Sequence, residues 1–250
     1  LAGRFGSRER AAVRPLAPRA QTALSSQRAP SAAMDCSQSK AQSSFWHENG
    51  GDMLEAALAV DPDLKQSPVR LVDARFVIGL ASSGGILPRR QDLPESAFVK
   101  LEALKKAGAG GWRDDRPSLR IICVSYPWLQ PDHPDPRGET VKLLADVLNI
   151  FLGHLHFARQ EPNGTYALLL DFMSLHQKGK LGEERSAAET ELFKRGLSSL
   201  STWYSHPKTL VLKATALPAG YPSGFHFPPG STPNTATYAQ RGWCFAESAL

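Results

Sequence analysis

Three short apolar runs, LRIICVS (119–125), ALLLDF (167–172) and TLVLKA (209–214), limit the folds open to this chain more than any other feature. Runs of this length that do not alternate with polar residues suit strands covered on both faces. Between the first two lies a stretch with Val141, Leu144, Ala145, Leu148, Phe151, Leu152 and Leu155 at three- and four-residue spacing, the signature of an amphipathic helix. Asp135 is placed to cap it, with Pro136 in its first turn. A second helix follows the second run: Ser186 to Glu189 has capping-box spacing, and Phe193, Leu197, Leu200 and Tyr204 mark its apolar face. Thr237 to Gln240 repeats the box and opens a last helix that the end of the chain cuts short. Strand and helix in alternation, with apolar strands, predict an open α/β fold: a mostly parallel sheet with helices on both faces. Three strands are few for such a sheet. Val69–Ile78 is expected to add an edge strand, unless further strands lie beyond the C-terminal end of this sequence.

The rest of the chain divides by composition. Residues 1–44 are rich in Arg, Ala, Ser, Gln and Pro, nearly free of acids and without period, so they are expected to be disordered. An Arg-rich, acid-poor start is also what an organelle transit peptide looks like; the alternative is a true start at Met34, since the chain opens on Leu1. Residues 45–111 read as a mixed helical arm or subdomain, with one helix in GGDMLEAALAV and another in LPESAFVKLEALKKAG, ended by Gly108. Residues 119–250 form the α/β domain. The net charge of +5 lies wholly in residues 1–33, where six arginines face one glutamate; the body is neutral and offers no excess charge to a nucleic acid. Cys36, Cys123 and Cys244 are too scattered for a disulfide framework or a zinc knuckle, which makes a reducing, cytoplasmic setting the default, or an organelle if the leader is real. No apolar stretch approaches the roughly 20 residues that span a bilayer.

In open α/β sheets ligands bind beyond the carboxyl ends of the strands, where helix N-termini point inward. That rule selects Ser125-Tyr126-Pro127-Trp128, the stretch Asp171 to Gln177, and residues 215–240 with the start of the last helix. The same stretches carry a resemblance. Ser125-Tyr126-Pro127-Trp128 resembles the Ser-Tyr-x-Trp block of the heterokaryon-incompatibility (HET) domain family. Asp171 with Gln177 six residues on, the helix from Glu191 to Tyr204, and Arg241-Gly242-Trp243-Cys244-Phe245-Ala246-Glu247 are similar to its later blocks, in order. Pro127, His176, Ala246 and the long insertion from Pro218 to Pro233 depart from the pattern. The resemblance implies a flavodoxin- or Toll/interleukin-1 receptor (TIR)-like sheet. It also implies that Glu247 stands where enzymatic TIR domains carry the glutamate that cleaves nicotinamide from NAD.

Breaking that bond builds positive charge on the ribose, which a fixed carboxylate in a water-poor cleft stabilises more than the neutral sugar. On this reading Glu247 and Asp171 are the catalytic candidates. Ser125, Tyr126, Trp128, Gln177, Arg241 and Trp243 would hold the nucleotide, with the aromatics offering faces to a base and Arg241, Lys178 and Lys180 within reach of a pyrophosphate. NAD would be a substrate; no cofactor, metal or nucleic acid is expected, and GAGG at 108–111 precedes the first run rather than following it, so it is no phosphate loop. Plainer readings stand beside each: Trp128 and Trp243 as packing, Asp171 as a turn cap, His176 and Gln177 as loop residues, Glu247 as an acid on a helix dipole, and Asp132 to Asp135 as a turn rather than a metal site. Cys244 as a nucleophile would need His176 or His206 beside it. The competing function is a non-catalytic module that forms homo-oligomers in a stress or death pathway. A third reading is a hydrolase or transferase built on Asp171 and His176.

Overall fold

The computed structural model describes residues 45–107, 119–179 and 182–249; the basic leader with Met34 and Cys36, the 108–111 glycines and Lys180 lie outside them. In chain order the elements are α1 (Asp52–Leu58), β1 (Leu71–Asp73), α2 (Ala74–Ser82), β2 (Phe98–Val99), α3 (Leu101–Ala107), β3 (Ile121–Ser125) and α4 (Glu139–Gly153). After a π-helical turn, His154–Ala158, come β4 (Ala167–Leu169), α5 (Asp171–Ser174), α6 (Ala187–Ser198), α7 (Leu200–Ser205), β5 (Leu210–Lys213) and α8 (Gly242–Ala249). The strands form one open sheet in the order β2-β1-β4-β3-β5. β4, β3 and β5 run parallel, with Ile122 opposite both Leu168 and Leu210, while β1 pairs antiparallel with β2 and β4.

Helices cover both faces, which is why β3 and β4 are buried at every position and apolar at all but Ser125. Val72, Ile122, Val124 and Leu168 point to one side, against Val77 of α2 and Val141, Leu144, Leu148 and Leu152 of α4. Leu71, Ile121, Cys123 and Leu169 point to the other, against Leu54 of α1, Leu104 of α3 and Leu200, Trp203 and Tyr204 of α7. Each such aliphatic side chain contributes about 1.5–3 kcal/mol by leaving water.

Several expectations need correction. The strand expected over Val69–Ile78 ends at Asp73, whose carboxylate accepts from Arg75 N at 2.8 Å and caps α2. It lies inside the sheet, and β2 from the 45–107 segment forms the edge. That segment thus supplies two of the five strands. The helix expected from Pro94 onward is broken: a 3-10 turn and β2 precede α3, because Phe98 is drawn to the core beside β1. Asp135 does cap α4, accepting from Thr140 N at 3.1 Å and Val141 N at 2.9 Å, but the helix starts at Glu139 rather than at Pro136. Gly138, at φ +72°, makes the entry, and a Cβ there would stand 2.7 Å from Gly85 O. The Ser186/Glu189 capping box forms, yet the helix from it is interrupted at Ser199, giving α6 and α7. β5 is a half-exposed edge rather than a buried strand, and the Thr237/Gln240 box opens a 3-10 turn ahead of α8. No described helix is long and apolar enough to cross a membrane.

Candidate functional site

The parallel strands end together, β3 at Ser125, β4 at Leu169 and β5 at Lys213, and the chain leaving each end decides what faces the gap. Beyond β4 the backbone turns into α5, which sets Asp171, part-buried, at the edge of that gap. Its Oδ1 accepts from Tyr126 Oη at 2.7 Å and from Phe172 N at 2.6 Å; Oδ2 accepts from Trp128 Nε1 at 2.8 Å. A carboxylate so held has one orientation and a charge spread over three donors. Burial nevertheless lifts its pKa above the ordinary range, against the pull of those donors. Ser174 and Arg90 fix the turn behind it. Ser174 Oγ accepts from Leu170 N at 3.1 Å, and the buried Arg90 guanidinium donates to the carbonyls of Ser67, Pro68 and Ser174. Burial lowers the pKa of Arg90 to about 9.

Glu247 reaches the same region from α8. It is 7% exposed, and its Oε2 accepts from Ser125 Oγ, which is also hydrogen-bonded to Tyr238 Oη. Burial pushes its pKa up, opposed by the Ser125 and Tyr204 hydroxyls and reinforced by the charge on Asp171. The carboxylate turns to the strand end and bonds the serine there, so its place is not explained by the dipole of its own helix. Neither Tyr238 nor Tyr204 was among the candidate site residues. Tyr204 is the aromatic that ends the α6–α7 stretch, and Tyr238 sits inside the last capping box, so both signals were present but read only as helix features.

A cleft of about 590 Å³ opens at this end of the sheet, lined by Tyr126, Trp128, Asp171, Arg241, Trp243 and Cys244, among others. Five sequence candidates thus meet in one concavity. Trp243 is 49% exposed there, which favours a free aromatic face over core packing; Trp128 packs edge-on against Phe172 with ring centroids 5.5 Å apart. Ser125 and Glu247 adjoin the cleft without being among its lining residues. The long loop before α8 supplies Phe227, Thr232 and Asn234 to the wall and is tied down through Gln130 to His226 O and Tyr221 Oη to Leu129 O.

Two assignments change. Arg241 does not offer a free cation to a pyrophosphate: its Nε, Nη1 and Nη2 donate to the carbonyls of Ala236, Trp128 and Asn234, pinning loop to strand end. Gln177 does not share the cleft with Asp171. Its carboxamide donates to the carbonyls of Asp171 and Leu175, and the residue lines a neighbouring cavity of about 770 Å³ on the other side of Trp128. Nor do Asp171 and His176 form a hydrogen-bonded pair: the carboxylate is engaged elsewhere, and both His176 ring nitrogens are buried without a hydrogen-bond partner, with burial lowering the pKa to about 4. Cys244 has no activating base, since His206 is bonded to Gly50 O and Lys208 N, and burial raises the thiol pKa. No cluster of three or more metal-binding side chains occurs among the described residues. No protein-family model, curated protein or solved structure matches the chain.

Proposed function

We propose that the cleft binds a nucleotide and that the chain is a HET/TIR-like signalling domain which hydrolyses NAD at the nicotinamide–ribose bond. The observation that carries this reading is the meeting of a part-buried carboxylate, Asp171, and a buried one, Glu247, with Tyr126, Trp128 and the half-exposed Trp243 where the parallel strands end. A volume of about 590 Å³ with a mostly apolar wall suits a small organic ligand. Nicotinamide would stack on Trp243. The C1′–N1 bond breaks with its electron pair going to the ring nitrogen, so nicotinamide leaves neutral and needs no acid. The ribose cation left behind takes a water oxygen, and one proton is released. A preorganised carboxylate lowers the energy of that cation. The resemblance makes Glu247 the key carboxylate, while the lining favours Asp171 as the one that touches the sugar and Glu247 as the charge held behind Ser125.

Incubating the protein with NAD and measuring free nicotinamide tests the reading. Release that falls by at least about 100-fold in Glu247→Gln and in Asp171→Asn is expected, the scale of losing one preorganised electrostatic contact. No release, or release unchanged in both variants, removes it. One observation favours the competing module: Leu143, Ile150 and Phe157 are exposed at seven-residue spacing along α4 and the turn that follows it. Mass measured over a concentration series would show assembly weakened by Ile150→Lys. A wild-type monomer throughout would exclude it.

A further inference from the structure

We propose that the second cavity, beyond Trp128, is an anion subsite that takes the phosphate groups of the ligand whose glycosidic end lies in the main cleft. This rests on the nucleotide reading of that cleft and answers a difficulty in it. A dinucleotide carries two phosphate charges, yet Arg241, the one cation among the described residues lining the main cleft, spends all three guanidinium nitrogens on backbone carbonyls. The neighbouring cavity has the opposite character. Trp128 and Pro131 line both spaces, so a ligand passing the indole leaves one and enters the other. Its described wall holds three cations, Arg89, Lys178 and Arg185, with the carboxylates of Asp92 and Asp132, and Glu183, Glu184 and Glu189 stand close enough behind the wall to act on Arg89 and Arg185.

The cations differ in how free they are. Arg89 is committed, donating to both oxygens of Asp92 at 3.0 and 2.9 Å and to Lys178 O at 2.9 Å. Arg185 is not. Its Nε donates to His176 O at 2.7 Å and its guanidinium lies 3.7 Å from the Phe193 ring centroid, which fixes the plane while both terminal nitrogens keep their donors without a hydrogen-bond partner among the described residues. A guanidinium held by its Nε and stacked on a ring presents a preset fork to a phosphate oxygen pair. Lys178 is half exposed and paired with the exposed Glu184 at 2.6 Å. A surface pair of this kind is worth at most about 1 kcal/mol, so exchanging the carboxylate for a phosphate costs little. The Gln177 carboxamide, which also lines this cavity, then falls beside the phosphates rather than beside the base.

The subsite is tested without turnover, by calorimetric titration of the full chain with inorganic pyrophosphate, ADP-ribose and nicotinamide riboside, each at low and raised salt. Pyrophosphate and ADP-ribose should bind with affinities that fall as salt rises, and Arg185→Gln and Lys178→Gln should each weaken both about tenfold. Nicotinamide riboside, which has no phosphate, should be indifferent to both substitutions. Trp243→Ala should weaken nicotinamide riboside, whose base stacks on that ring, and leave pyrophosphate unchanged, which separates the main cleft from the anion subsite. If Arg185→Gln disturbs folding through its His176 contact, Lys178→Gln, altered at an exposed side chain, still decides. Absence of pyrophosphate binding, or binding within twofold of wild type in both charge variants, overturns the proposal. Retained pyrophosphate binding with no nicotinamide release sinks the cleavage reading and leaves the anion subsite standing.

Discussion

Tyr126→Phe probes the Asp171 clamp with the least disturbance. The ring stays in the core and no cavity opens; only the hydroxyl that donates to Asp171 Oδ1 at 2.7 Å is lost. A hydrogen bond to a charged group contributes about 1.5–3 kcal/mol. Phe172 N still serves that oxygen at 2.6 Å, so about 2 kcal/mol is expected rather than the upper end. For a chain of this size that lowers the melting temperature by about 4–8 °C. The loss depends on the carboxylate being ionised. Burial already lifts the Asp171 pKa, and removing a donor to the charged form lifts it further. Destabilisation by Tyr126→Phe is therefore full above that raised value and shrinks as pH falls through it. Denaturant unfolding of wild type and variant over a pH series measures this. A difference under about 0.5 kcal/mol at neutral pH, or one that does not shrink with acid, would refute an ionised Asp171 held by Tyr126.

Other outcomes follow from the same structure. Arg90→Met should cost about 3 kcal/mol by denaturant unfolding, because three buried carbonyls lose their donor. Gly138→Ala should cost about 1–3 kcal/mol, since the backbone at φ +72° disfavours a side chain and the new Cβ meets Gly85 O. Glu247, raised by burial from its ordinary 4.5, takes up a proton on folding between that value and its higher folded one. Stability should therefore fall as pH rises through that window, and Glu247→Gln should flatten the slope, leaving the part due to Asp171. An unaltered slope in unfolding experiments would contradict it.

The parallel centre of the sheet was legible because β3 and β4 are apolar on both faces, and helices packed on both sides demand that of a strand. β1 and β2 were not. A strand of two or three residues has no period to read, and what makes β1 a strand is the pairing of Leu71 with Val99 and of Val72 with Phe98 and Leu168, contacts distant in sequence. The break between α6 and α7 at Ser199 was hidden for a similar reason: the apolar spacing runs through it. At the site, the rule that ligands bind at the carboxyl ends of parallel strands placed Tyr126, Trp128, Asp171, Arg241 and Trp243 correctly in one region. It could not tell a free arginine from one whose donors are spent on carbonyls, because the backbone carbonyls of Trp128, Asn234 and Ala236 carry no sequence signature. Nor could it see that Trp128 divides Asp171 from Gln177, six residues apart and facing different cavities.

On the proposed reading, the cleft at the strand ends receives the nicotinamide end of the nucleotide. The tryptophans report on it directly. Trp128 and Trp243 line the cleft, whereas Trp46 and Trp203 are buried in the core on the far face of the sheet from α2 and α4. With indole nitrogens labelled for NMR and NAD titrated into Glu247→Gln, in which cleavage is slowed, the Trp128 and Trp243 resonances should shift together along one binding curve while Trp46 and Trp203 stay in place. No shift at saturating ligand, or movement of Trp46 and Trp203 equal to that of Trp128 and Trp243, would contradict the nucleotide reading.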